Sequence, residues 1–139
     1  MKVLIDTNVV LGVALQRQPY VEASAGVMFL SQTKRLDGYV SASAISDIYY
    51  IMRKHVGHSA AIDFMRRLVL GCRIAEVNQS IIELALASDF KDFEDAIQNT
   101  TASANALDAV VTRNVKDFKK SDLQILMPEQ LLKLLSDRS

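Results

Sequence analysis

Lys2-Val3-Leu4-Ile5-Asp6-Thr7-Asn8 opens the chain directly after Met1, as an apolar run that ends at a carboxylate. A short apolar run bounded by polar residues is typical of a buried strand. The polar residues behind it favour a helix that begins near Val9, with Thr7 or Asn8 as its N-cap. The opening therefore predicts a strand followed directly by a helix, with Asp6 at the junction.

The same alternation continues along the chain. Further strands are predicted to begin at Tyr39 and to cover Ile74–Val77, Asp108–Thr112 and Leu123–Leu126. Apolar residues at helical spacing predict helices between the strands, over 20–34, 43–57, 59–71, 80–88 and 93–105, and a last one from Pro128. Strands that alternate with helices predict an α/β fold with a parallel sheet and helices on both faces. A length of 139 residues suggests one domain over 1–139.

Composition excludes several classes of protein. Sixteen basic and sixteen acidic residues balance, which argues against nucleic-acid binding driven by bulk charge. The single cysteine, Cys72, cannot form an internal disulfide. No apolar run approaches the roughly 20 residues of a membrane span, and the N-terminus does not resemble a signal peptide. We therefore expect a cytoplasmic protein with no membrane association.

Two carboxylates stand near predicted strand ends. In parallel α/β folds ligands gather at the carboxyl edge of the sheet, where Asp6 is expected. Asp6 is therefore either a metal ligand or nucleophile, or a helix-capping aspartate. Asp47 follows the second strand, on the side of its helix away from the apolar stripe. It is either a ligand or an acid favoured by the helix N-terminus.

A third group of acids surrounds Asp95. Asp92, Asp95 and Asn99 are spaced to share one helix face, and a cation would relieve the repulsion between like charges. The alternative is a solvated acidic face. The loop 112–120 follows the fourth strand and mixes hydrogen-bonding groups, one carboxylate and four bases. It is either the last wall of a cation site or a polar loop in water.

Carboxylates that converge on one sheet edge would select Mg²⁺ or Mn²⁺. Such a site can activate water for phosphodiester hydrolysis. No cluster of cysteine and histidine suggests zinc.

This ordered set resembles the PIN domain family, and in particular the VapC-like ribonucleases of toxin–antitoxin systems. The resemblance rests on residues 3–8, 41–50, 92–97, 111–118 and 125–132. It implies a three-layer α/β/α sandwich with a central, mostly parallel sheet. It also implies a magnesium- or manganese-dependent ribonuclease, the toxin of a type II pair, with an antitoxin partner and a homodimeric state.

The family's acidic positions correspond to Asp6, Asp47 and Asp95, as metal ligands and catalytic residues. The fourth position falls on Asn114 or Asp117, which the resemblance leaves open. Asn8 and Thr112 resemble the residues that orient the ligands. Arg113 and Lys116, with the neighbouring Lys119 and Lys120, are expected to contact RNA phosphates.

Two other functions compete with the nuclease. Asn114, and an aspartate at position 47 where the family commonly has glutamate, favour a catalytically weak PIN-like module that binds RNA or a protein partner. A phosphotransfer domain with Asp6 as nucleophile is disfavoured, because Asn8 stands where a second acid is generally needed.

Overall fold

A computed structural model describes residues 1–138 of the chain. Its strands are β1 Lys2–Ile5, β2 Asp37–Ser41, β3 Arg73–Ala75, β4 Ala109–Val111 and β5 Gln124–Leu126. Its α-helices are α1 Thr7–Ala14, α2 Val21–Gln32, α3 Ile45–Val56, α4 His58–Gly71, α5 Gln79–Leu86, α6 Phe93–Ala104 and α7 Pro128–Ser136. Short 3-10 helices cover Ala42–Ala44 and Val115–Phe118. Within residues 1–138, no helix has the length and apolar character needed to cross a lipid bilayer.

The five strands form one parallel sheet in the order β3-β2-β1-β4-β5. Strand β1 lies at its centre, and Ile5 is in register with Val111 of β4. The residues that follow β1 and β4 therefore emerge side by side at the carboxyl edge. The predicted α/β fold with a parallel sheet is confirmed.

The central strand is buried on both faces, because successive side chains of a strand point to opposite sides. Val3 and Ile5 pack into the larger apolar cluster, which includes residues of α1, α2, α3 and α7. Leu4 packs on the other side with Ala102 of α6 and Phe118. Helices thus cover both faces of the sheet, which confirms the α/β/α layering.

The start of α1 differs from the sequence prediction. The helix begins at Thr7, and its N-cap is Asp6, whose carboxylate accepts a hydrogen bond from the Thr7 backbone N–H. The predicted caps, Thr7 and Asn8, lie inside the helix. A carboxylate can satisfy free N–H groups of a first turn and benefits from the helix dipole, so the helix starts directly after the strand.

The packing of α7 can be tested by removing one buried side chain. Leu131 is fully buried in the larger apolar cluster, and Leu131→Ala should lower the free energy of unfolding by about 2–5 kcal/mol. Leu86, which is 66% exposed, provides the matched control, since Leu86→Ala should change the free energy of unfolding by less than about 0.5 kcal/mol. Urea denaturation measures both values. Equal effects would contradict the placement of α7.

Candidate metal centre

The Asp6 carboxylate lies at the end of β1 and is only 5% exposed. Its Oδ1 accepts hydrogen bonds from the Thr7 backbone N–H at 2.7 Å and from Gln98 Nε2 at 2.6 Å. Its Oδ2 accepts one from the Thr112 hydroxyl at 2.8 Å. A carboxylate oxygen can accept about two hydrogen bonds, so Oδ2 retains a lone pair for a further ligand.

Thr112 connects Asp6 to the loop behind β4. Its fully buried hydroxyl donates to Asp6 and accepts hydrogen bonds from the Asn114 backbone N–H at 3.0 Å and from Asn8 Nδ2 at 3.4 Å. Asn8 Oδ1 in turn accepts from the Arg113 backbone N–H at 3.3 Å. Thr112 and Asn8 therefore surround Asp6 in the arrangement expected of residues that orient a ligand.

Gln98 is the residue of this site that sequence reasoning missed. It projects from α6, is 5% exposed, and donates to both Asp6 Oδ1 and Thr7 Oγ1. Its Oε1 is buried and has no hydrogen-bond partner within residues 1–138. The available signal was its position three residues after Asp95, on the same helix face.

Asp95 lies in the first turn of α6, where the N-cap Asp92 accepts a hydrogen bond from its backbone N–H at 2.9 Å. Burial raises the pKa of Asp95 to about 7, and repulsion from Asp92, Asp6 and Asp117 adds to this effect. Burial also raises the pKa of Asp6, with a smaller contribution from Asp117. These shifts show that Asp6, Asp95 and Asp117 act on one another electrostatically.

Asp117 reaches this region from the short helix Val115–Phe118. The next residue, Phe118, is buried and stacks edge-on against Phe90, with 5.9 Å between ring centroids. Ser121, just beyond, donates a hydrogen bond to Asn99 Oδ1 at 2.5 Å. These contacts fix the loop against α6, so that Asp117 and Asp95 line the same cavity.

That cavity has a volume of 260 Å³ and a mixed charge. Its lining contains as many lysines as aspartates: Asp89, Asp92, Asp95, Asp117, Lys91, Lys116, Lys119 and Lys120. Carboxylates attract a hard cation, and lysines neutralise phosphate. This combination suits a phosphodiester bound beside a divalent cation.

The chemistry of the donors fits a hard cation. Asp6 Oδ2 has a free lone pair, the Gln98 Oε1 acceptor is orphaned among the described residues, and the carboxylates around Asp95 repel one another. Within residues 1–138, however, no three acidic, histidine or cysteine side chains approach closely enough to form a metal-binding group. Closer approach of Asp95 and Asp117 to Asp6 would be needed to complete the site.

Asp47 and Asn114 do not line the cavity that contains Asp95 and Asp117. Asp47 is exposed in the first turn of α3, and the carboxylates that raise the pKa of Asp95 are Asp92, Asp6, Asp117 and Glu94. Asn114 lines a different cavity, together with Asn8 and Arg113. Asp117 contributes to the raised pKa of Asp6 and of Asp95, and the uncharged Asn114 donates its backbone N–H to Thr112; both stay predictions for the fourth position.

Arg113 and Lys116, which were both expected to contact RNA, line different cavities. Lys116 lines the cavity that also contains Asp95 and Asp117. The Arg113 guanidinium instead folds back over the ring of Tyr20, with Cζ 3.6 Å from the ring centroid, and donates to Ser24 Oγ at 3.3 Å. The loop behind β4 therefore contributes cations to two different cavities.

Comparison with known proteins gives a consistent picture. A family model described as "PIN domain" matches residues 2–116. No curated protein matches the sequence.

Several solved structures share the fold at low identity. VapBC2 from Rickettsia felis, bound to a promoter DNA fragment, has a TM-score of 0.68 at 14% identity, over 90% of this chain and 97% of that one. A toxin-antitoxin complex from Klebsiella pneumoniae has a TM-score of 0.69 at 20% identity, over 91% of this chain and 98% of that one. VapC20 from Mycobacterium tuberculosis, described as a sarcin-ricin loop cleaving toxin, has a TM-score of 0.63 at 16% identity, over 78% of this chain and 87% of that one.

The raised pKa of Asp95 predicts a dependence of stability on pH. Its pKa is about 7 in the folded chain against an ordinary 3.8, so the folded state binds more protons between these values and stability falls as pH rises through them. Asp95→Asn removes this loss. Without metal, the variant should be more stable than wild type above pH 7, by on the order of 1 kcal/mol after allowance for solvent screening.

The measurement is urea denaturation in EDTA buffers from pH 4 to pH 8. The difference between Asp95→Asn and wild type should vanish near pH 4. Asp47→Asn is the control, since its carboxylate is exposed in α3. A difference for Asp95→Asn that does not change with pH would contradict the environment described for Asp95.

Proposed function

The chain belongs to the PIN domain family, and from that premise we propose that it is a metal-dependent ribonuclease, the toxin of a type II toxin–antitoxin pair. The observation behind the proposal is the buried Asp6 carboxylate, held by Gln98 and Thr112 and electrostatically coupled to Asp95 and Asp117. Acids that oppose one another's ionisation, beside a cavity lined with lysines, would be suited to phosphodiester hydrolysis once a cation draws them together.

In this proposal Asp6, Asp95 and Asp117 hold Mg²⁺ or Mn²⁺, and Asp47 and Asn114 remain outer candidates from the family pattern. A bound divalent cation would supply Lewis-acid activation of the phosphodiester. Thr112 and Gln98 fix the Asp6 carboxylate in one orientation, and Asn8 fixes Thr112. This preorganisation avoids the cost of aligning a ligand during the reaction.

The lysines of the cavity beside Asp95 have a separate role. Lys116, Lys119 and Lys120 would neutralise phosphates of the bound strand. Because the whole chain has no net charge, affinity for RNA would come from these local cations. Single-stranded or looped RNA is the expected substrate, and the mycobacterial neighbour is a toxin that cleaves the sarcin-ricin loop.

A second candidate is a PIN module that binds RNA or protein without efficient cleavage. The observation favouring it is the absence, within residues 1–138, of three acidic, histidine or cysteine side chains grouped closely enough to hold a metal. The exposed position of Asp47 also favours a module without efficient cleavage. Metal-dependent cleavage separates this candidate from the nuclease.

The partner proposals rest on the neighbours. VapBC2 from Rickettsia felis was solved on a fragment of promoter DNA, and the structure from Klebsiella pneumoniae is a toxin–antitoxin complex. From them we extend an antitoxin partner to this chain, and from the family resemblance and the composition a homodimeric state and a cytoplasmic location.

Cleavage of a mixed panel of RNAs by the pure protein tests the proposed activity. Cutting should require Mg²⁺ or Mn²⁺ and should fall by at least about 100-fold in Asp6→Asn and Asp95→Asn, because each substitution removes a charged ligand. Asp63→Asn is the matched control, since Asp63 is exposed and pairs with Arg66. Undiminished cleavage by Asp6→Asn would overturn the mechanism.

Expression in a bacterial host tests the toxin assignment. Wild-type protein should arrest growth, and Asp6→Asn, made to the same level, should not. Co-expression of a small reading frame from directly upstream should restore growth if it encodes the antitoxin. Active nuclease that leaves growth unaffected would contradict the toxin assignment while leaving the enzymatic one intact.

A further inference from the structure

A second cavity lies beside Asn8 and Asn114, which both donate hydrogen bonds to Thr112. It has a volume of 550 Å³, and its lining includes Arg17, Tyr20, Arg113, Asn8 and Asn114. Among residues 1–138 no carboxylate lines it, in contrast to the cavity beside Asp95, which four aspartates and four lysines line. Two guanidinium groups in such a cavity are suited to an anion.

Contacts with Tyr20 and Ser24 hold the Arg113 side chain in this cavity. Its guanidinium stacks on the Tyr20 ring and donates to Ser24 Oγ. Gly12 leaves the space for it, since a Cβ at that position would lie 3.2 Å from Arg113 Nη2. A stacked guanidinium has lost most of its conformational freedom before a ligand arrives, which favours tight anion binding.

The charge of Arg113 is not balanced by an ion pair within the described part of the chain. Burial lowers the pKa of Arg113, and repulsion from Arg17 adds to this, while Tyr20 and Glu129 act in the opposite direction. Its Nε is buried and has no hydrogen-bond partner among the described residues. An anion between Arg17 and Arg113 would relieve the repulsion.

The cavity is directly connected to the proposed catalytic centre. Asn8 and Asn114 line it, and both donate to the Thr112 hydroxyl, which donates to Asp6. Thr112 and Arg113 are consecutive residues directly after β4, so the hydroxyl that orients Asp6 and the guanidinium of this cavity are neighbours in the chain. An RNA strand that crosses this edge would pass from one cavity to the other.

We propose that Arg17 and Arg113 form a subsite for a phosphate of single-stranded RNA that flanks the phosphate bound at the Asp6 centre. This inference rests on the proposed ribonuclease function and adds a path for the strand across the sheet edge. Arg17, which is exposed, contributes charge. Tyr20 and Ser24 are positioning residues that act through Arg113.

Binding without cleavage tests the subsite. Fluorescence anisotropy in EDTA should show that Arg17→Gln binds a labelled single-stranded RNA about 3- to 10-fold more weakly at low salt, and that the slope of log K against log salt falls by about 0.7, the value for one phosphate contact. Arg73→Gln, an exposed arginine at the opposite edge of the sheet, should change neither quantity.

Two further measurements sharpen the test. RNAs shortened one nucleotide at a time should show one step at which wild type loses affinity, and that step should be missing in Arg17→Gln. Arg113→Gln should give the same loss of slope, with circular dichroism confirming that the variant folds. Equal slopes and affinities for wild type and Arg17→Gln would overturn the subsite.

The outcomes also separate this inference from the proposed function. Metal-dependent cleavage with no effect of Arg17→Gln on binding would overturn the subsite alone. The predicted change of slope in a protein that never cleaves would support the subsite and overturn the nuclease. Competition by inorganic phosphate that depends on Arg17, with RNA binding unchanged, would identify a free-anion site and overturn the inference.

Discussion

The site depends on the burial of one charge. The Asp6 carboxylate is removed from water, and a buried charge is tolerated only when hydrogen bonds or opposite charges compensate it. The compensating donors come from the first turn of α1, from Gln98 of α6 and from Thr112 behind β4. These elements must therefore meet at one point, and their meeting places the neighbouring acids and cations around Asp6.

The order of strands and helices could be predicted from the sequence, but the side-chain contacts of the site could not. The alternation of apolar runs predicted the parallel sheet, and the rule for strand ends placed Asp6 and Thr112 at one edge. A capping role was one of the two alternatives for Asp6, but α1 was predicted to begin two residues too late, because periodicity does not show how tightly a helix can follow a strand. Gln98 was missed because its role depends on how α6 packs against β1, which is a tertiary property.

The loop behind β4 shows where sequence reasoning reached its limit. Asn114 and Asp117 are three residues apart and were equal candidates for one position. The structure gives them different surroundings: the Asn114 backbone N–H bonds to Thr112, whereas Phe118, next to Asp117, is buried against Ala102 of α6. The stacking of Arg113 on Tyr20 likewise requires α2 to lie beside this loop, which the spacing along the chain does not show.

The two outermost strands of the sheet affect how a partner can bind. Strands β3 and β5 form the two edges, and each has only three residues. Such short edges offer too few backbone N–H and C=O groups for another chain to extend the sheet, which also protects the protein against edge-to-edge aggregation. Recognition by other proteins is thereby left to side chains on the helices, where binding specificity can diverge without disturbing the sheet.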